Sequence, residues 1–358
     1  MRQTRATLVV ACLILIVAAC DHPSATLSEQ EKHTVTELTV NMKTRCMGRY
    51  LIDMPGEAVE SGYAKIQGVS IDAKAMTEDA WRQEVAQREA TLTATKSRDA
   101  HPFLYAAGTA RGEYTYYFIH RGTIYDDPAT RHIEGYKWDG GYRILLTVET
   151  YDYTNPDRSS DPIVKQFDVK NEVPEKTAVV FSLLEKLRGR SPDDIPTEPG
   201  VCFAGGFLPG TASDGQYVRE GFGLVSRPDV FFKASVDTAP QGDTSLLQRF
   251  QPFHAQIKAT GGTVIRKGTV DLDGGKAEEL LIAGLTPAEL PGHLFSLEIN
   301  SISSGPETPF LSLDMSNGGL DLDPRDGKKI DKASLTEREA LALWDAVSRT
   351  IRMRPGSL

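Results

Sequence analysis

The stretch Ser191-Pro192-Asp193-Asp194-Ile195-Pro196-Thr197-Glu198-Pro199-Gly200 constrains this chain more than any other. Each of its three prolines fixes φ and removes a backbone donor, so neither a helix nor an inner strand can run through it. It divides a chain of 358 residues, more than one hydrophobic core normally organises. We therefore read a boundary there, with one domain at 39–190 and a second at 191–358.

The first half opens with Cys46-Met47-Gly48-Arg49-Tyr50-Leu51-Ile52-Asp53-Met54-Pro55, a short apolar strand closed by proline. A second strand around 64–71 leads to a helix at 78–92, where Trp81, Val85, Arg88 and Leu92 share one face. Strands are predicted at 103–107, 113–120 and 133–138, and Asp139-Gly140 turns the chain into another at 142–151, an antiparallel meander. Pro174 admits a closing helix at 174–188, with Val180, Leu184 and Leu187 on one face and Gly189 as its stop. The second half repeats this order: a strand at Cys202, a strand at 230–236, a helix at 245–259, strands at 263–270 and 277–283, and a last helix. That helix starts on Leu335-Thr336-Glu337-Arg338-Glu339, a capping box with a staple residue. Ala340, Trp344, Val347 and Ile351 then line one face, which makes Trp344 a core residue. Cys46 and Cys202, Asp72 and Asp237, and Leu187 and Ile351 are each about 160 residues apart, the spacing of an ancient duplication. The predicted class is α+β: two similar domains, each an antiparallel sheet with about two packed helices.

The N-terminus reads as an export signal. Arg2 and Arg5 precede an apolar run at 8–19, shorter than the roughly 20 residues a membrane-spanning helix needs. Val17-Ala18-Ala19-Cys20 resembles a lipobox, which implies removal of residues 1–19 and lipid on Cys20. Asp21 resembles an inner-membrane retention signal, so the expected place is the periplasm, lipid-anchored to the cell membrane with the inner membrane favoured. Residues 20–38 are polar and read as a tether. The net charge is −9, and loss of Arg2 and Arg5 makes the rest more acidic still, so nucleic acid is not an expected partner. With Cys12 in the leader and Cys20 lipidated, Cys46 and Cys202 remain for an oxidising compartment. Two outcomes stay open: a disulfide closing a very long loop, worth about 5 kcal/mol on the chain-entropy model, or two separately buried thiols.

No familiar catalytic pattern emerges. A Gly-x-Ser-x-Gly elbow is absent; Gly68-Val69-Ser70-Ile71-Asp72 comes nearest and reads as strand. Gly274-Gly275-Lys276 lacks the upstream glycine of a phosphate loop, and Gly221-Phe222-Gly223-Leu224-Val225-Ser226 lacks the strand-to-helix setting of a dinucleotide site. Asp321-Leu322-Asp323-Pro324-Arg325-Asp326-Gly327 is out of register for an EF-hand and reads as an acidic turn. The histidines form no metal-spaced pair; His120 and His254 read as hydrogen-bonded core or rim residues. The expectation is a protein with no catalytic residues, no cofactor, no metal and no small-molecule substrate. The aromatic residues Tyr114, Tyr116, Tyr117 and Trp138 support an alternative, an envelope ligand-binding or structural lipoprotein, although strand aromatics more often serve the core and cross-strand pairs.

Three segments in order, Cys46 through Pro55, Glu198-Pro199-Gly200-Val201-Cys202, and the run from Leu335 through Pro355, resemble the type VI secretion lipase immunity family, group four. The likeness spans both halves, which that family treats as N- and C-terminal domains. It implies a periplasmic protein that binds a cognate phospholipase toxin and protects the producing cell, the two domains clamping the enzyme near its lid or entrance. It assigns no partner-binding residue, because the matching segments are structural framework.

Overall fold

A computed structural model of the chain describes residues 26–154, 162, 166, 170–239, 242–273, 275–319 and 330–358. The leader, Cys20, Asp21 and the acidic run 321–327 lie outside the described residues.

The element order bears out the α+β reading. Helix α1 (Glu29–Thr39) precedes a hairpin, β1 (Lys43–Met47) and β2 (Tyr50–Met54), and a second hairpin, β3 (Ala58–Ile66) and β4 (Val69–Ala75). Helix α2 (Glu78–Ala94), the meander β5 (Leu104–Gly108), β6 (Thr115–His120), β7 (Thr130–Asp139) and β8 (Tyr142–Tyr151), and helix α3 (Val173–Lys186) complete the first half. Beyond β9 (Arg188–Gly189) the second half repeats the plan. Its hairpins are β10 (Gly200–Phe203) with β11 (Gly206–Pro209) and β12 (Gln216–Leu224) with β13 (Val230–Asp237). Short helices α4 (Leu246–Phe250) and α5 (His254–Ala259) follow, then β14 (Thr263–Leu272), β15 (Gly275–Leu285), β16 (Pro291–Ile299) and β17 (Phe310–Asn317). Helix α6 (Glu337–Ser348) and strand β18 (Arg352–Met353) end the described chain.

Several local expectations are revised. The single strand at 46–55 is a hairpin, because Gly48 takes φ +57° and turns the chain before Arg49. The strand at 64–71 is likewise a hairpin, folded at Gln67-Gly68 with both residues at positive φ. Pro252 interrupts the helix at 245–259, leaving a 3₁₀ turn at Gln251–Phe253 between α4 and α5. The tether at 20–38 is structured over much of its described length. Ser28 and Glu31 form a capping box for α1, and Glu31, Thr34 and Leu38 make a narrow buried stripe. Glu31 accepts hydrogen bonds from Thr336 Oγ1 at 3.0 Å and Arg338 Nε at 2.9 Å, docking α1 at the start of α6.

The two halves share one sheet. Its order is β14-β15-β16-β17-β13-β12-β3-β4-β8-β7-β6-β5, all antiparallel, and it reads symmetrically outward from the β12–β3 pair. β3 and β12 pair over nine positions, Ala58 with Leu224 through Ile66 with Gln216. On one face, Ala64, Ile66, Val218, Phe222, Phe232, Ala234, Leu297, Leu313 and Ile144 join α3 and α6 in one core that crosses the seam. Trp344 is fully buried there, its ring edge-on to Phe295 and its Nε1 donating to Glu279.

The tails of the halves are exchanged. β9, which ends the first half, pairs with β11 of the second; β18, which ends the second, pairs with β2 of the first. Three buried arginines pin this region by donating to backbone carbonyls. Arg190 reaches Cys46, Phe203, Gly206, Ser191 and Asp194; Arg354 reaches Pro196, Glu198 and Gly200; Arg49 reaches Gly200, Gly210 and Ser357. The proline-rich joint is thus held in place by charge-assisted hydrogen bonds from both halves.

Candidate functional site

The predicted site residues fall into two groups. Cys20 lies outside the described residues. Cys46 and Cys202, both buried, are joined in a disulfide with Cα atoms 5.7 Å apart, where β1 meets β10 beside the Gly48–Cys202 backbone bridge. The bridge is structural: it ties β1 of the first half to β10 of the second.

Side-chain alternation sorts the helices by face. Phe118 and Tyr136 pack against Trp81, Val85 and Leu92 of α2, whereas their neighbours Ile133, Gly135 and Ile119 meet α3. In the second half Glu278 and Glu298 bind α4, at Leu247 N and the Arg249 guanidinium, while Glu279 faces α6. So α3 and α6 cover one face, and α2 and α4–α5 flank the other. Between the flanks, the odd-numbered positions of β3 and β12 other than Gly221 lie uncovered, including Val59, Tyr63, Lys65 and Arg219.

This open face has an apolar row. Val59, Gly223, Phe231, Ser316, Leu294 and Ile282 are successive register partners across six strands. Phe231 lies over β12 because Gly221 leaves room; a Cβ there would come within 2.3 Å of the ring. The row ends in a groove of about 430 Å³ between α5 and the ends of β15 and β16, walled by Ile257, Ile282, Leu285, Pro287 and Leu294. Leu285 and Leu294 are 69% and 53% exposed, and Phe253 at the start of α5 is 54% exposed. Such a contiguous apolar patch on a polar surface suits a protein partner.

A dense cluster of ionisable groups sits under α2. Glu134 accepts both nitrogens of the Arg88 fork, at 2.9 and 2.5 Å, and the Tyr136 hydroxyl at 3.0 Å, while His120 Nε2 lies 3.1 Å away. Burial pushes the Glu134 carboxyl up, but hydrogen bonds from His120 and Arg88 outweigh it and hold the group at about 2. Arg143 similarly joins Glu84 of α2 to Asp72 of β4. These contacts fasten α2 to the sheet, so Arg88, on the helix face read as core, does its work through charge. Among the described residues no group of three or more His, Cys, Asp or Glu is arranged to hold a metal, and no helix is long and apolar enough to cross a membrane.

The aromatic residues that raised the ligand-binding alternative are engaged within the fold. Tyr116 rests on Phe118, Tyr117 on Phe181 of α3, and Tyr114 edge-on between Trp81 and Trp138. The open-face row and groove escaped sequence reading because β12, β16 and β17 went unassigned.

Comparison with known proteins gives the whole arrangement a context. No curated protein matches the chain in sequence. The crystal structure of a Tle4–Tli4 complex contains a chain with TM-score 0.70 at 22% identity, covering 89% of this chain and 99% of that one. The apo structure of the immunity protein TplEi of the type VI secretion system from Pseudomonas aeruginosa gives 0.67 at 21%, covering 88% and 98%. TplEi complexed with an "L" peptide gives 0.63 at 21%, covering 88% and 99%. At these identities the likeness concerns the fold. The sequence patterns of the Tle cognate immunity protein 4 N-terminal and C-terminal domains match residues 43–190 and 194–356, so the chain belongs to the Tle cognate immunity protein 4 family and carries both of its domains.

Proposed function

We propose that this chain binds a cognate type VI secretion phospholipase effector and blocks it, without catalysis of its own. The observation that carries the reading is the family match over both halves, joined to a fold that presents one uncovered face between two helical flanks. A phospholipase must expose an apolar surface to work at a bilayer. The apolar row and the groove at Leu285 and Leu294 supply a matching surface, and occupying it would keep phospholipid from the enzyme's entrance. Inhibition is then steric, with α2 and α4–α5 as the sides of the clamp and the central strands as its floor. The lipobox-like Val17-Ala18-Ala19-Cys20 supports a periplasmic position on a lipid anchor, where such a toxin would arrive.

The deciding experiment is titration of the purified chain, from Asp21 onward, into the phospholipase encoded beside its gene while phospholipid hydrolysis is followed. Loss of activity with a 1:1 endpoint is expected. Undiminished hydrolysis with no complex on a sizing column would refute the proposal.

A further inference from the structure

The seam between the halves carries two buried acids on its core face. Glu60 of β3 and Glu220 of β12 lie diagonally on either side of the Ser61–Gly221 register pair, in the strand pair about which the sheet order is symmetric. Glu220 is fully buried and the Glu60 side chain is 5% exposed. None of the four carboxyl oxygens has a hydrogen-bond partner among the described residues. A carboxylate so placed carries an uncompensated desolvation cost.

The surrounding groups offset that cost only in part. Arg190 lies 3.7 Å from Glu60, but its donors go to five backbone carbonyls, so it lends charge without a hydrogen bond. Arg45 of β1 is buried nearby, yet its Nη1 donates to Asp193 of the joint at 2.6 Å. Asp193, itself negative, opposes ionisation of Glu60, and Tyr142 of β8 adds no cation. The cations therefore suffice for about one of the two carboxylates.

We propose that Glu60 and Glu220 hold one proton between them near neutral pH, and that the β3–β12 seam joining the halves weakens as this proton is lost. The direction of the electrostatics agrees: burial raises Glu60 against the pull of Arg190, and burial and then Glu60 raise Glu220 well above the ordinary range. The folded protein then binds a proton that the unfolded chain releases above about pH 4.5. Stability from this site is complete below that pH and falls as pH rises toward the folded value.

Glu220→Gln keeps the shape of the protonated acid and removes the titration. Thermal unfolding from pH 5 to pH 9 should find the variant melting several degrees above the parent at the alkaline end, the gap closing toward pH 5. Parallel melting curves for parent and variant would overturn the proposal. Because the variant could misfold, carboxyl carbon chemical shifts of the unmodified protein give a second readout. One glutamate resonance still titrating above pH 6 supports the shared proton, and all glutamates ionised by pH 6 refutes it.

Discussion

Leu285 and Leu294 wall the groove at the end of the apolar row, and they give the sharpest test of the proposed docking face. Full burial of a leucine side chain is worth about 1.5–3 kcal/mol. Leu294 keeps 53% of its surface exposed and Leu285 69%, so a partner that covers them gains about 1–1.5 kcal/mol at each. Leu294→Ala alone should therefore weaken binding about tenfold. The double variant Leu285→Ala/Leu294→Ala should weaken it about 100-fold if the two sites act independently, with some departure because they share one groove. Folding should scarcely change, since exposed substitutions away from caps and networks usually stay within about 0.5 kcal/mol. The assay is calorimetric titration of the effector with each variant, alongside residual phospholipid hydrolysis and a thermal melt. An unchanged Kd in the double variant, with an unchanged melt, would refute the assignment of this face.

Replacing Cys46 and Cys202 with serine opens a loop with a sequence separation of 156 residues and should lower Tm by about 7 °C, from about 5 kcal/mol of chain entropy spread over a chain of this size; calorimetry checks it. For Glu134, the lowered carboxyl contributes stability present above about pH 4.5 and lost as pH falls toward 2, so Glu134→Gln should flatten the acid limb of a denaturation profile over that interval. Cutting the chain at 190 bares the nine-position edge of β3 and leaves β9 without β11. Each half alone should therefore be insoluble or molten, and co-expression should restore a soluble pair, as sizing and near-UV dichroism would report.

Legibility in the sequence followed the strength of local signals. The α2 stripe of Trp81, Val85 and Leu92, the Asp139-Gly140 hairpin and the Thr336–Glu339 capping box are short-range devices, and each lies where its residues place it. The missed elements lack such devices or hide them. Gln216–Leu224 contains glycines at 221 and 223 that weaken its strand signal, and Gly221 in fact makes room for Phe231. The hairpin at 43–54 turns on a single glycine, Gly48, inside what looks like one apolar run. α1 carried a visible Ser28–Glu31 box, but its apolar stripe is too thin to stand out, because Glu31 is buried through Thr336 and Arg338, 305 and 307 residues away. The groove depends on register across six strands and on the break at Pro252, neither of which a single sequence expresses.

The proline-rich joint predicts two domains, and the repeated element order agrees, yet the halves do not behave as separable bodies. Had each kept its own tail, β9 would have extended the first half and β18 the second, and the joint would have been a free linker. Exchange places Arg190 from the end of the first half among the carbonyls of the second, and Arg354 from the end of the second among those of the joint. The disulfide adds a covalent tie beside Arg190, which donates to the Cys46 carbonyl. A hinge here would have to break charge-assisted hydrogen bonds, a covalent bridge and a nine-position ladder together. The angle between the helical flanks of the open face is consequently fixed before any partner arrives, so binding pays little to organise the clamp. For the proposed inhibitory role, that rigidity would suit a first encounter with a toxin, and it would place the adaptable part of recognition in the side chains of the groove rather than in movement of the halves.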